Sequence, residues 1–135
     1  MSVRTSTAAA ATATALLALP LATAPATART LDEGRLFLTV SGSQNTWIRG
    51  VRLACPGPGG HHPHAAEACR HLGRTAGRPD GPPVAAEKPP ATCTKEYDPV
   101  VASADGDWRG GQIAWRRTYP NACALEAATG PVFRF

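Results

Sequence analysis

The sequence predicts an α+β domain: an antiparallel sheet of about five short strands, one or two short helices, and two disulfides. Three observations lead there. Short β-branched and aromatic segments with a period of two recur between clusters of Gly, Pro, Asn, Asp and Ser. One segment, 65–72, carries helix formers at helical spacing. The chain has four cysteines, an even number that suits crosslinking in an exported protein.

Export is expected from the first residues. Arg4 precedes an uncharged, alanine-rich stretch containing Leu16, Leu17, Leu19 and Leu21 and ending in the small-residue cleavage pattern Ala26-Thr27-Ala28. Pro20 and Pro25 break the stretch, and a membrane span needs roughly 20 apolar residues, so 1–28 reads as a secretory signal peptide. Ala22-Thr23-Ala24 is a weaker alternative cleavage site. Cleavage after Ala28 would leave one domain over 29–135, of 107 residues, located outside the cell. A chain of that size buries only about two-thirds of the surface its unfolded form exposes and gains from crosslinks. No second long apolar segment follows, so no membrane partner is expected.

Within this domain, Leu36-Phe37-Leu38-Thr39-Val40 reads as a strand that stops at Ser41-Gly42-Ser43. Trp47 to Ala54 reads as its neighbour, with Val51 and Leu53 on one face. The loop 56–63 follows by composition. Ala65, Ala68, Cys69 and Leu72 then share a helix face, with Gly73 or Gly77 as the stop. Five prolines between Gly77 and Pro90 exclude a helix or central strand there and make a surface linker. Val100-Val101 resumes an extended run, and Asp105-Gly106 is a two-residue hairpin signal. Gly110-Gly111 adds a bend, and Gln112 to Tyr119 alternates with Ile113, Trp115 and Arg117 on one side. After the turn at Pro120-Asn121, Val132-Phe133-Arg134-Phe135 reads as the last strand.

Four cysteines, Cys55, Cys69, Cys93 and Cys123, allow three pairings. Local pairing, Cys55 with Cys69 and Cys93 with Cys123, is the economical choice, since the first pair brackets a short Gly/Pro/His loop. The second would close a loop of about 30 residues and contribute roughly 3–4 kcal/mol on the chain-entropy model.

Composition excludes several function classes. Without Arg4 the 14 basic side chains become 13 against 10 acidic ones, a mild net charge of +3. Arg109, Arg116 and Arg117 are the only dense basic group, too little for a nucleic-acid stripe. His61, His62, His64 and His71 lack the i, i+4 helical pair of a zincin and read as an exposed His-rich loop, so no metal or other cofactor is expected. Ser41, Ser43 and Ser103 sit in no nucleophile elbow, and Asp105 and Asp107 flank a turn glycine rather than forming a catalytic pair. An enzyme is therefore not expected.

The segment Thr92-Cys93-Thr94-Lys95-Glu96-Tyr97-Asp98-Pro99 is where function is expected. Cys93 anchors it, Thr94 favours extended geometry, and Pro99 confines Asp98 to β or polyproline conformations. Each restraint lowers the ordering cost of binding, so an extended loop beside Lys95 suits a tight, substrate-like ligand of a protease. The competing reading is a secreted carbohydrate- or protein-binding module using a face with Trp47, Trp108 and Trp115, on which Lys95 is incidental.

The chain resembles the Streptomyces subtilisin inhibitor family of secreted serine protease inhibitors. The resemblance rests on the strand 36–40, the stretch from Cys55-Pro56 to Ala68-Cys69, the segment Cys93 to Val100, Asp105-Gly106-Asp107-Trp108, Asn121-Ala122-Cys123 and the end Val132 to Phe135. It implies the local disulfide pairing, a five-stranded antiparallel sheet with two short helices, and a homodimer packed through sheets. It also implies a reactive bond at Lys95-Glu96, with Thr92, Cys93, Thr94, Tyr97 and Asp98 contacting the protease. The expected partners are serine endopeptidases: a lysine pairs with the carboxylate of a trypsin-like pocket, and subtilisin-like pockets can still accept its aliphatic stem. The prolines of 77–90 and the paired His61 and His62 depart from the family pattern.

Overall fold

A computed structural model describes residues 33–57, 59–81 and 92–135. The expected leader 1–28 and most of the proline-rich linker, 82–91, lie outside the described residues. Four strands form one antiparallel sheet: β1 (Gly34–Gly42), β2 (Ile48–Cys55), β3 (Val100–Trp108) and β4 (Gly111–Tyr119), in the order β2-β1-β3-β4. Two helices accompany it, α1 (Ala65–Arg74) and α2 (Ala122–Thr129). No helix among the described residues is long and apolar enough to cross a membrane.

Register explains which side the helices cover. Leu36 faces Leu53 on β2 and Gly106 on β3, while Leu38 faces Val51 and Ala104. This face of the sheet, with Val40, Ala102 and Trp108, joins Leu72, Leu125, Val132 and Phe133 in one buried cluster. The alternate positions, Arg35, Phe37, Arg52 and Asp105, lie on the opposite face, where Phe37 is 49% exposed. Strict alternation follows from the pleat, which sends successive side chains to opposite sides.

The α+β class stands, but the described sheet has four strands, not five. Val132–Phe135 was expected to be the fifth, yet Gly130–Phe133 is a short 3-10 helix begun by Gly130 and Pro131. Val132 and Phe133 are adjacent and both buried, which a half-covered strand forbids. They pack with α1 and α2 instead. The run 122–129, unread as an element in the sequence, supplies the second helix.

The expected hairpin at Asp105-Gly106 is also displaced. Both residues lie inside β3, and the chain turns at Arg109-Gly110, whose φ angles of 51° and 82° are the two left-handed residues a tight hairpin needs. Gly106 is required for another reason. A Cβ there would strike the Arg35 carbonyl of β1, and its φ of 146° disfavours any side chain. Helix α1 runs through Gly73 and ends before Gly77, whose amide donates to the Leu72 carbonyl at 2.8 Å and whose φ is 81°.

Both local disulfides are present. Cys55–Cys69 ties the end of β2 to α1 with its Cα atoms 5.6 Å apart, and Cys93–Cys123 ties the segment before β3 to α2 across 5.7 Å.

Candidate functional site

The segment 92–99 has no regular secondary structure and leads into β3. Its side chains are exposed from Thr94 to Asp98, with Tyr97 77% exposed, while Cys93 and Pro99 are half-buried. An exposed loop of this kind keeps one shape only if its backbone is held, and here the holding element is the neighbouring segment 120–123.

Asn121 is the centre of that support. Its buried side chain donates from Nδ2 to the Thr94 carbonyl at 3.2 Å and to the Glu96 carbonyl at 2.8 Å. Its Oδ1 accepts the Ala124 amide at 2.8 Å, capping the N-terminus of α2. One amide thereby uses both its donors on the loop and its acceptor on the helix. The two carbonyls belong to the residues on either side of Lys95. The Asp98 amide donates to the Pro120 carbonyl at 3.0 Å, and the Cys93–Cys123 disulfide fixes the upstream side. Where the loop enters the sheet, Val100 is paired with Tyr119.

The consequence is chemical. Lys95 projects from a backbone anchored before and after the Lys95-Glu96 bond, so cutting that bond would free neither end to diffuse away. The structure places Thr92, Thr94, Lys95, Glu96, Tyr97 and Asp98 on one exposed, braced segment in which Cys93 is half-buried. The sequence reads Asn121 only as part of a turn, whereas the structure makes it the support of the loop. Its signal was present: an Asn following a proline and preceding a run of Ala, Leu and Glu is a helix N-cap pattern.

A second buttress lies beside β4. Asp80, outside that sheet, accepts the Trp115 indole N–H at 3.0 Å and forms an ion pair with Arg117. Burial pushes the Tyr119 phenol above its ordinary pKa, Asp80 adds to the rise, and Arg117 opposes it.

The tryptophan and histidine expectations are corrected here. Trp108 is buried, and Trp115 stacks on Phe133 with centroids 5.6 Å apart, so Trp47, Trp108 and Trp115 do not form an open binding platform. The His-rich loop is not uniformly exposed. His62 and His71 are buried, with Nε2 of each against a carbonyl: Val132 at 2.9 Å and Pro79 at 3.0 Å. Backbone carbonyls, one far along the chain at Val132 and one nearby at Pro79, select these two rings, and the spacing of the histidines alone does not reveal them.

Comparison with known proteins agrees with this architecture. The family model described as subtilisin inhibitor-like matches residues 33–121. The chain is 39% identical over 105 residues to subtilisin inhibitor-like protein 5 of Streptomyces fradiae, covering 74% of this chain and 95% of that protein. It is also 39% identical over 117 residues to a subtilase-type protease inhibitor of Streptomyces coelicolor, covering 83% of this chain and 79% of the relative. Among solved structures, Streptomyces caespitosus sermetstatin in complex with Bacillus licheniformis subtilisin superposes with a TM-score of 0.54 and 29% identity, over 76% of this chain and 98% of the other.

Proposed function

Because the chain belongs to the subtilisin inhibitor-like family, a family of protease inhibitors and not of enzymes, we propose that it inhibits serine proteases through a reactive bond at Lys95-Glu96. The observation that carries this reading is the pair of carbonyls flanking Lys95, both held by Asn121. A protease that attacks the Lys95 carbonyl forms an acyl-enzyme while the amine of Glu96 stays tethered through Asn121 and β3. The amine can then reattack, the peptide bond reforms, and net hydrolysis is slow.

Lys95 would fill the primary specificity pocket, with Thr94 before the bond and Glu96, Tyr97 and Asp98 after it. Its ammonium matches a pocket floored by a carboxylate, so trypsin-like enzymes should be inhibited more strongly than subtilisin-like ones. Two disulfides fit work outside the cell after removal of 1–28. A homodimer through the helix-free sheet face fits as well, because Phe37 stands there between Arg52 and Asp105 in register, an apolar centre with charges of both signs.

Titration of trypsin and subtilisin with the oxidised protein, with mass analysis of slowly clipped material, tests the reading. Near-stoichiometric trypsin inhibition with cleavage only at Lys95-Glu96 is expected. Lys95→Ala should weaken trypsin inhibition by several kcal/mol, the size of an interface hot spot. An unchanged inhibition constant in that variant would refute the assignment.

A further inference from the structure

The loop 92–99 is only eight residues long, whereas a stable protein–protein interface recruits roughly 20–30 residues from each side. Surface next to the loop must supply the rest. On one side stand Asn121 and the start of α2, already joined to the loop. On the other side, register brings up a second feature. Val100, the first residue after the loop, pairs with Gly42, the last residue of β1. The β1–β2 turn and the loop therefore leave the same end of the sheet on strands about 4.8 Å apart.

That turn presents Trp47, which is 43% exposed. Its carbonyl accepts the Gly42 amide at 3.0 Å, placing it opposite Gly42. The positions two, four and six residues on, Arg49, Val51 and Leu53, pair with Val40, Leu38 and Leu36 on the helix-bearing side of the sheet. Trp47 thus belongs to the helix-bearing face of the sheet, on the flank of the loop opposite Asn121. Ile48, paired with Ser41, belongs to the opposite face.

The indole is set in place before any partner arrives. It lies so close over Gly42 that a Cβ there would strike its Nε1, and the Arg49 guanidinium sits 5.7 Å from its ring centroid. Gln44 and Asn45, with φ of 54° and 56°, form the turn that leads into it. An ordered aromatic beside an arginine is the composition of an interface hot spot, and its preorganisation lowers the cost of binding.

We propose that Trp47 and Arg49 form a second contact for the protease held at Lys95, seated on the enzyme surface beside its active-site cleft. This rests on the reading of Lys95-Glu96 as the reactive bond. Inhibition constants and dissociation rates of Trp47→Ala, Trp47→Phe and Lys95→Ala against trypsin and subtilisin test it. Trp47→Ala should weaken inhibition of at least one enzyme tenfold or more through faster dissociation, with cleavage still at Lys95-Glu96, and Trp47→Phe should retain most of the affinity. Unchanged constants for Trp47→Ala against both enzymes overturn the second contact. Lys95→Ala without effect overturns the reactive-bond reading instead, so the two failures are distinguishable. Hydrogen exchange on the unsubstituted complex needs no folded variant: slowed exchange at residues 45–49 on binding supports the contact, and unchanged exchange there overturns it.

Discussion

Asn121 concentrates three roles in one buried side chain. Its Nδ2 holds the carbonyls of Thr94 and Glu96, and its Oδ1 caps α2. Asn121→Ala should therefore reduce stability by about 1–2 kcal/mol through the lost cap and unmet carbonyls. The sharper effect concerns function, because Lys95 keeps its side chain while the backbone around it loosens. Such a variant should still bind trypsin initially but be hydrolysed at Lys95-Glu96 many times faster. Asn121→Asp keeps the acceptor for Ala124 but loses both donors, so it should cap α2 and yet fail to slow cleavage. A time course of clipping by mass analysis checks this: cleavage of Asn121→Asp as slow as that of the parent protein would separate Asn121 from loop support. The exposed loop around Lys95 is legible in the sequence because Cys93 and Pro99 are local restraints. The bond from Asn121 spans more than twenty residues, so no local pattern pairs the two.

Elements were legible where one force decided them. In β2 and β4 a period of two follows the pleat and is readable in the sequence, while β1 is readable from its β-branched and aromatic composition, since Phe37 on the open face interrupts any apolar–polar alternation. Gly106 shows where such reading stops. Asp105-Gly106 and Arg109-Gly110 both offer a glycine for a turn, and Asp-Gly is the stronger local signal. The choice is made by β1, whose Arg35 carbonyl leaves no room for a Cβ at position 106. Likewise, Val132 and Phe133 have strand composition but are claimed by the space between α1, α2 and the sheet. Gly106→Ala should cost about 1–3 kcal/mol, from a φ of 146° that alanine avoids and from displacement of β1. Gly111, where a Cβ meets only the Trp108 carbonyl at ordinary contact distance, is the control. Denaturant midpoints compare the two, and equal losses in Gly106→Ala and Gly111→Ala would show that the close approach to β1 is not what demands the glycine.

At the scale of the whole molecule, the first disulfide loop and the C-terminal segment meet at His62. Its Nε2–H donates to the Val132 carbonyl at 2.9 Å, its Nδ1 accepts the His64 amide at 3.0 Å, and the Phe135 ring lies edge-on with centroids 5.6 Å apart. These bonds use the neutral ring with its proton on Nε2. A second proton would remove the acceptor for the His64 amide. Burial lowers the pKa of His62 below the usual 6.5, the Val132 carbonyl partly opposes this by favouring the charged ring, and His64 nearby adds to the lowering. The unfolded chain therefore binds a proton that the folded one resists. The contribution of His62 is fully present above pH 6.5, is lost as pH falls through the lowered folded-state pKa, and levels off below it. Melting temperature measured from pH 7.5 to 4.5 in the parent protein and in His62→Gln isolates this group. The parent should lose more stability on acidification below pH 6.5 than the variant does, while the variant starts lower at pH 7.5 for want of the buried ring. Parallel curves would mean that His62 packs the C-terminal segment onto the loop without coupling that contact to protons.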